Sequence, residues 1–176
     1  MKSELTPQVL HKFLRKATSR LSGEWILIGG TVLPILGVFH RSTVDIDLIG
    51  KSNKEQKQIL ELLKLSESLG LPVETINQAG ALFLDRIESL EEDLIPLRKT
   101  KKCTIYRPDL ALYLELKLAR LTESDQNDCL EMIRWSLKQE PKKTHFKAKE
   151  RLKKLQSKNG PKKKIDFISL CLKKLG

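Results

Sequence analysis

One stretch near the start of the chain constrains the fold most, because an apolar run, two glycines and an alternating acidic run follow one another there. Residues 25–28 are continuously apolar and stop at Gly29-Gly30, which predicts a buried strand ending in a tight turn. Residues 31–39 are apolar again and predict a short helix. Residues 44–49 alternate apolar and acidic side chains, which predicts a strand with one apolar and one acidic face.

Apolar periodicity and capping residues predict the remaining elements. The stretch 110–121 fits both a strand alternation and one helical face, and its composition favours a helix. The predicted helices are 6–21, 52–69, 110–121, 125–138, 144–157 and 164–175, and the predicted strands are 71–76, 94–99 and 102–106, with the last two joined as a hairpin. The predicted fold class is therefore α/β (α+β), a small mixed β-sheet followed by a helical C-terminal half.

The positive charge is concentrated at one end of the chain. The formal net charge is +11, and residues 138–176 hold 14 basic and three acidic side chains, so they carry the whole excess. Thirteen of the 14 are lysines and only two aromatic residues accompany them. This composition predicts RNA binding through backbone contacts without sequence readout, and the alternative interpretation is a solvated helix face.

Three parts of the chain are predicted from these patterns. Residues 1–107 form an α/β core, residues 108–140 a helical part packing on the core, and residues 141–176 a lysine-rich helical tail. The longest apolar stretches are too short to cross a bilayer, and no apolar export segment is present near the start. The three cysteines have no paired CxxC spacing, so we expect core thiols, a cytoplasmic protein and no membrane partner.

The chemistry is predicted where the glycine turn and the acidic strand come together. Backbone amides at Gly29-Gly30 can approach an anion at the start of the following helix. Asp45 and Asp47 are two residues apart on a strand, so both carboxylates point to one side. Two such carboxylates need a cation, and Mg²⁺ is the first candidate because it prefers oxygen ligands. This pattern favours phosphoryl or nucleotidyl transfer assisted by one or two metal ions.

Arg41 and Thr43 lie between the glycines and the aspartates and can donate hydrogen bonds to phosphate oxygens. A Gly-Gly pair or an Asp-x-Asp pair alone is a weak signal. Their order and closeness make the combination more specific. A P-loop is excluded, since no Gly-Lys-Ser or Gly-Lys-Thr follows the glycines.

This segment resembles the opening of the nucleotidyltransferase fold of the DNA polymerase beta superfamily. It is most similar to the bacterial branch related to AbiE-type toxins, whose pattern is a Gly-Gly pair, a short helix and then Arg-x-Thr-x-Asp-Ile-Asp. The resemblance implies that the glycine turn, with Thr31, holds a triphosphate and that the two aspartates bind Mg²⁺. It also implies a third carboxylate on a later strand that activates the attacking hydroxyl. Glu74 takes that position here, with a reach one methylene longer than the usual aspartate.

The resemblance continues more loosely over residues 53–138. Lys117, Arg120, Asp125 and Asp128 match positions that the family places near its active cleft. The resemblance therefore implies a catalytic role for Lys117, offsetting negative charge together with Arg41. Residues 139–176 match no pattern of the family.

These observations predict a Mg²⁺-dependent nucleotidyltransferase. It would transfer a nucleoside monophosphate from a nucleoside triphosphate to a hydroxyl of RNA, a protein or a small molecule. One alternative is a non-catalytic module that binds a nucleotide or a partner protein in a toxin–antitoxin type system. A second alternative is a nucleic-acid-binding protein that works through its basic tail.

Overall fold

The computed structural model describes residues 5–85, 87, 90–158 and 160–176. The chain divides into two compact units, Met1–Pro108 and Asp109–Gly176, which we term the N-terminal unit and the C-terminal unit. Residues 109–140 and the lysine-rich tail belong to the same unit. Packing of the predicted helical part on the core stays a prediction.

A four-stranded mixed sheet forms the centre of the N-terminal unit. Its strands are β1 (Gly23–Ile28), β2 (Asp47–Gly50), β3 (Leu94–Lys99) and β4 (Cys103–Pro108), in the order β2-β1-β4-β3. β1 runs antiparallel to β2 and parallel to β4, and β3 and β4 form the expected antiparallel hairpin. The predicted α/β fold class, with a helical C-terminal half, is confirmed.

Helices and short turns connect these strands. They are α1 (Pro7–Arg20), α2 (Val32–Ile35), α3 (Asn53–Gln56), α4 (Ile59–Ser68) and α5 (Ala81–Leu84), with 3-10 turns at Gly29–Thr31, Val73–Thr75 and Leu90–Asp93. α1 begins as its sequence predicts: the Thr6 hydroxyl accepts a hydrogen bond from the Val9 amide at 3.3 Å. Its apolar side is buried, and α1 lies against α4 and β4.

The helix predicted over 52–69 is two helices. Ser52 and Glu55 form a capping box at its start, but the helix breaks before α4. Glu55 accepts a hydrogen bond from the Glu24 amide at 3.3 Å, and Gln58 accepts one from the Ser22 amide at 2.9 Å. The first turn is therefore tied to the start of β1, and the helix is interrupted before it resumes at Ile59.

The strand predicted over 71–76 is wrong. The segment forms the 3-10 turn Val73–Thr75, and only Ile76 forms a bridge, parallel to Ile46. The Thr75 amide donates to the Pro72 carbonyl at 3.0 Å and closes the turn. Pro72 has no amide hydrogen of its own to donate to a ladder, so the segment reaches the sheet edge only at its end.

The C-terminal unit contains the helices α6 (Leu110–Leu118), α7 (Glu123–Gln139), α8 (Lys142–Ser157) and α9 (Lys162–Leu175). The helical interpretation of 110–121 is confirmed, and Asp109 caps α6 by accepting from the Leu112 amide at 2.9 Å. The two predicted tail helices are confirmed as α8 and α9. Asn159, between these two helices, lies outside the described residues.

The expected core thiols are confirmed, since Cys103, Cys129 and Cys171 are free and buried. Burial raises the pKa of the Cys103 thiol to about 11 and that of Cys171 to about 12. In the part of the chain that the structure describes, no helix has the length and apolar character needed to span a membrane.

Candidate functional site

A glycine turn follows β1, as the sequence predicts. Gly29 has φ +73°, a left-handed conformation that glycine adopts without a steric penalty. The chain then passes through the turn Gly29–Thr31 into α2. Thr31 is fully buried, and its hydroxyl donates to the Ile28 carbonyl at 3.1 Å. Thr31 therefore uses its side chain to hold the turn, and the backbone of the two glycines is the part left to approach a ligand.

Asp47 lies directly beside this turn. In the antiparallel pair of β1 and β2, Asp47 is opposite Ile28, the residue that precedes Gly29. A Cβ atom added at Gly29 would collide with the Asp47 Oδ2 atom. The glycine at this position therefore serves two purposes, the positive φ and the space for the carboxylate.

The acidic strand is shorter than expected and begins at Asp47 rather than at residue 44. Asp45 comes before the strand and is separated from it by the bridge residue Ile46. Asp45 and Asp47 are half-buried, whereas Ile46 and Leu48 are fully buried. The predicted alternation of an acidic and an apolar side is confirmed by this burial.

Arg41 and Thr43 lie against the second glycine. A Cβ atom at Gly30 would be 2.5 Å from Arg41 Nη2 and 3.4 Å from Thr43 Oγ1. The structure therefore brings a guanidinium and a hydroxyl to the glycine turn, as the spacing of the motif predicts. Guanidinium groups form strong paired hydrogen bonds with phosphate oxygens.

Asn77 is a residue of the site that sequence reasoning missed. The Asn77 amide nitrogen donates to the Ile46 carbonyl at 3.0 Å, and its side-chain Nδ2 donates to Asp47 Oδ1 at 2.6 Å. One carboxylate oxygen of Asp47 is thus held by Asn77, while the other faces Gly29. The resemblance implies a third acidic residue, so an amide was not predicted here. The position of Asn77 directly after the predicted strand 71–76 is the signal that could have identified it.

Glu74 lies elsewhere on the same segment. It is exposed, in the 3-10 turn Val73–Thr75. The side chain that this segment places against Asp47 is that of Asn77, three residues later. The roles of Glu74 as a base and as a metal ligand stay predictions.

The carboxylates beside the glycine turn are the candidate ligands for Mg²⁺. Among the described residues, no three His, Cys, Asp or Glu side chains cluster closely enough to hold a metal ion. Mg²⁺ commonly takes one or two protein carboxylates and completes its shell with substrate phosphates and water. Asp47 fits that mode, because Asn77 holds its carboxylate beside the glycine turn. The metal-binding role of Asp45 stays a prediction.

The second predicted cluster lies in the C-terminal unit. Lys117 Nζ is 3.0 Å from Asp125 Oδ1 and 2.6 Å from Asp128 Oδ2, and Arg120 Nη2 is 3.1 Å from Asp125 Oδ1. Lys117 is 5% exposed and both aspartates are 0% exposed. The structure brings these four residues together. The catalytic role of Lys117 stays a prediction, since the contacts described for it are internal to this unit.

Asp125 also caps α7. Its Oδ2 atom accepts from the Thr122 hydroxyl at 2.8 Å. Burial raises the pKa of the Asp125 carboxyl, but the hydrogen bonds from Thr122 and Lys117 outweigh burial and leave that pKa below its ordinary value. Asp125 is therefore an ionised, fully bonded part of the unit.

A glycine turn beside an oriented carboxylate and a guanidinium, at the end of a sheet strand, is an arrangement that suits phosphate groups. The model of the family described as "Nucleotidyltransferase of unknown function (DUF6036)" matches residues 8–138. Because this match covers more than half of the chain, the chain belongs to that family. The predicted nucleotidyltransferase family is confirmed, and its AbiE-type branch stays a prediction.

No curated protein and no solved structure matches the chain. The family match ends at residue 138. The lysine-rich segment, which holds the whole positive excess, therefore lies beyond the matched residues.

Proposed function

We propose that the N-terminal unit binds a nucleoside triphosphate with Mg²⁺ and transfers its nucleoside monophosphate to a hydroxyl. The observation that carries this proposal is the position of the Asp47 carboxylate between Gly29 and Asn77. An oriented acid directly beside an anion-accepting turn suits a ligand that contains both phosphates and a divalent cation.

The residues of the site would divide the work in a simple way. The backbone of Gly29 and Gly30 would accept the phosphates, and Arg41 would stabilise the negative charge that develops on them. Mg²⁺ held by Asp45 and Asp47 would supply further charge neutralisation when bound. The acceptor oxygen would form a bond to the α-phosphorus, and pyrophosphate would leave as that bond formed.

The proton of the attacking hydroxyl needs a base. Glu74 is our proposed base, with the acceptor bound so that its hydroxyl comes within hydrogen-bond reach of the carboxylate. RNA, a protein hydroxyl and a small-molecule hydroxyl are the proposed classes of acceptor. A partner protein of the toxin–antitoxin type is a further proposal that the resemblance supports.

Binding without transfer is the second candidate function, and Asn77 is the observation that favours it. A side-chain amide next to Asp47 donates a hydrogen bond but does not remove a proton at neutral pH. In this case the site would hold the nucleotide and Mg²⁺ and yield no product.

Calorimetric titration with ATP, GTP, CTP and UTP in the presence of Mg²⁺ tests the binding that both functions share. We expect Asp45→Asn combined with Asp47→Asn to weaken binding at least tenfold, and chelation of Mg²⁺ to have a similar effect. Glu61→Gln combined with Glu67→Gln removes two carboxylates from α4 in the same unit and is the matched control. Unchanged binding in the Asp45/Asp47 variant would place the nucleotide elsewhere.

Transfer of an α-phosphate label separates the two functions. The protein is incubated with labelled triphosphates and, separately, with total RNA, total protein and small-molecule extract. Label transfer that disappears in Asp47→Asn and falls in Glu74→Gln supports catalysis. Tight nucleotide binding without transfer to any fraction supports the binding module.

A further inference from the structure

Helices α8 and α9 lie beyond the residues that the family match covers. The two helices lie side by side and antiparallel. Gln156 Nε2 donates to Ser169 Oγ at 2.7 Å, and Lys149 donates to the Gly176 carbonyl at the far end of α9. They therefore form a helical hairpin within the C-terminal unit.

One side of this hairpin is basic. Helix positions that are three or four residues apart share a face. On α8 that face contains Lys142, Phe146, Lys149, Lys153 and Gln156, and on α9 it contains Lys162, Asp166, Ser169 and Lys173. Because the contacts Gln156–Ser169 and Lys149–Gly176 join the two stripes, both belong to one surface, which we term the basic face.

Four of the five lysines of this surface are available to a partner, and the fifth, Lys149, donates to the Gly176 carbonyl. Within residues 5–85, 87, 90–158 and 160–176, Lys142, Lys162 and Lys173 are exposed and have no ion-pair partner, and Lys153 has only an exposed pair with Glu150 at 2.9 Å. Exposed pairs of this kind contribute little to stability. The fold therefore leaves the positive charge of these four lysines free to interact with a partner.

The lysines at the N-termini of α8 and α9 are unfavourable for the stability of these helices. α8 and α9 have lysines in their first turns and no acidic residue there, and neither has a side-chain N-cap. Positive charge at a helix N-terminus is unfavourable because it opposes the helix dipole. Residues that break a local rule without a compensating contact indicate a functional demand.

Phe146 adds an aromatic ring to the basic face. It is 67% exposed, and Lys142 and Lys149 lie four residues before it and three after it on the same helix. Aromatic rings among lysines are the surface on which unpaired bases stack in single-stranded nucleic acids.

A membrane surface is the less suitable partner. Lipid-binding helices need a continuous apolar stripe that faces the bilayer. Here the apolar residues of both helices are used inside the unit, and the large hydrophobic side chains that stay exposed on them are Phe146 and Leu170. The buried residues are His145, Ala148, Leu152, Phe167, Ile168, Cys171 and Leu175.

We infer that the basic face of the α8–α9 hairpin binds single-stranded nucleic acid, with the lysines on the phosphate backbone and Phe146 stacked on an unpaired base. The inference rests on the charge and exposure of the C-terminal unit and does not depend on the proposed nucleotide site. It goes beyond the sequence prediction of pure backbone contact by assigning a base contact to Phe146.

The test uses the full chain and fluorescence anisotropy with a labelled oligouridylate of about 16 nucleotides, long enough to cover one binding site. The first variant changes Lys142, Lys153, Lys162 and Lys173 to Gln. We expect affinity at low salt to fall about tenfold or more, and the slope of log K against log salt to decrease by about 2 to 3. The matched control changes Lys12, Lys54, Lys57 and Lys101, four exposed lysines of the N-terminal unit, and should leave affinity within about twofold.

Phe146 variants test the base contact separately. Phe146→Leu keeps an apolar side chain but removes the ring, so we expect the affinity for oligouridylate to fall about fivefold or more. Phe146→Tyr keeps the ring and should retain binding. The affinity for a duplex of the same length should not change in Phe146→Leu, because paired bases are not available for stacking.

Several results would overturn the inference. They are no binding of oligouridylate by the wild-type protein at low salt, an equal loss in the control lysine variant, and binding to phosphatidylserine vesicles in place of the oligonucleotide. Nucleotide titration of the Lys142/Lys153/Lys162/Lys173 variant distinguishes a failure of the nucleic-acid inference from a failure of the proposed nucleotide site. That titration should match the wild type, since none of the four lysines belongs to the N-terminal unit.

Discussion

The chain contains two pairs of aspartates at similar spacings, and the structure treats them in opposite ways. Asp125 and Asp128 are 0% exposed around the buried Lys117. Asp45 and Asp47 are half-buried beside a glycine turn. The first pair is neutralised inside its own unit, and the second lies where a ligand can reach it. Burial and partners, not the acidic residues themselves, separate a structural pair from a candidate binding pair.

Removing the buried lysine should have the largest effect. Lys117→Met removes the buried cation from between Asp125 and Asp128 and, within the described residues, leaves Asp125 with only the exposed guanidinium of Arg120 as a cation. We therefore expect the free energy of unfolding to fall by about 3–5 kcal/mol. Urea denaturation measures this change. Lys138→Ala, at an exposed position of α7, is the control and should change stability by less than about 0.5 kcal/mol. A loss below about 1 kcal/mol for Lys117→Met would mean that Asp125 and Asp128 do not depend on a buried cation for stability.

Two glycines with similar φ angles test the position of Asp47 in the half-buried pair. Gly29 has φ +73° and Gly37 has φ +84°, but only a Cβ at Gly29 would meet Asp47, whereas a Cβ at Gly37 meets nothing within 4 Å. Gly37→Ala should cost about 1–2 kcal/mol for the left-handed conformation alone. Gly29→Ala should cost about 1–3 kcal/mol more, because the carboxylate must move.

Thermal unfolding followed by circular dichroism compares the two variants. Nucleotide titration should show lost binding for Gly29→Ala and retained binding for Gly37→Ala. Equal stability and equal binding of the two variants would contradict the placement of Asp47 at the turn.

Asn77→Asp converts the second pair into a three-carboxylate site. The hydrogen bond to Asp47 is replaced by a like charge, so we expect a loss of about 1.5–3 kcal/mol in the presence of a chelator. Mg²⁺ should restore part of this stability by bridging the acids. Asn53→Asp makes the same charge change at an exposed position in the first turn of α3. Its stability should match the wild type both with a chelator and with Mg²⁺. Stability that is insensitive to Mg²⁺ would count against a cation site at Asp47.

The smallest expected effect concerns a third acidic group, Glu24, which is intermediate between the two pairs. Hydrogen bonds from Lys51 and Tyr106, each at 2.6 Å, hold the pKa of Glu24 below its ordinary value of 4.5. The stability from these bonds is present in full above that ordinary value and is lost as the pH falls through the lower folded-state pKa.

Because the Glu24 side chain is 42% exposed, the contribution is about 0.5 kcal/mol. Urea midpoints measured between neutral and acidic pH should fall slightly less in Lys51→Met than in the wild type. Lys64→Met, which removes the exposed pair with Glu61, is the control and should follow the wild-type profile. Identical acid profiles for wild type and Lys51→Met would show that Lys51 does not lower the pKa of Glu24.

Local patterns predicted much of the candidate site. The strand that stops at Gly29, the short helix after it and the alternation around Asp47 are properties of neighbouring residues, so the sequence could be interpreted correctly there. Each of these relationships spans few residues and depends on backbone periodicity. Lys117, Asp125 and Asp128 were singled out by the family resemblance and not by local periodicity, and their mutual contacts are a finding of the structure.

The segment 71–76 shows where that reasoning ends. Its β-branched residues suit a strand, but Pro72 and the turn at Val73–Thr75 allow only Ile76 to reach Ile46. This offset decided that Asn77 and not Glu74 meets Asp47. The turn is a local property of the segment. Which residue then pairs with Ile46 depends on a contact between distant parts of the chain, and the composition of the segment does not encode that choice.

By itself the sequence determined the class of fold, the glycine turn, the acidic strand and the concentration of charge in the last helices, because periodicity, capping and charge are local properties. Only the tertiary structure decided which side chain orients Asp47, which aspartates are buried and which lysines share a surface. Those outcomes depend on contacts between residues far apart in the chain, such as Asp47 with Asn77 and Gln156 with Ser169.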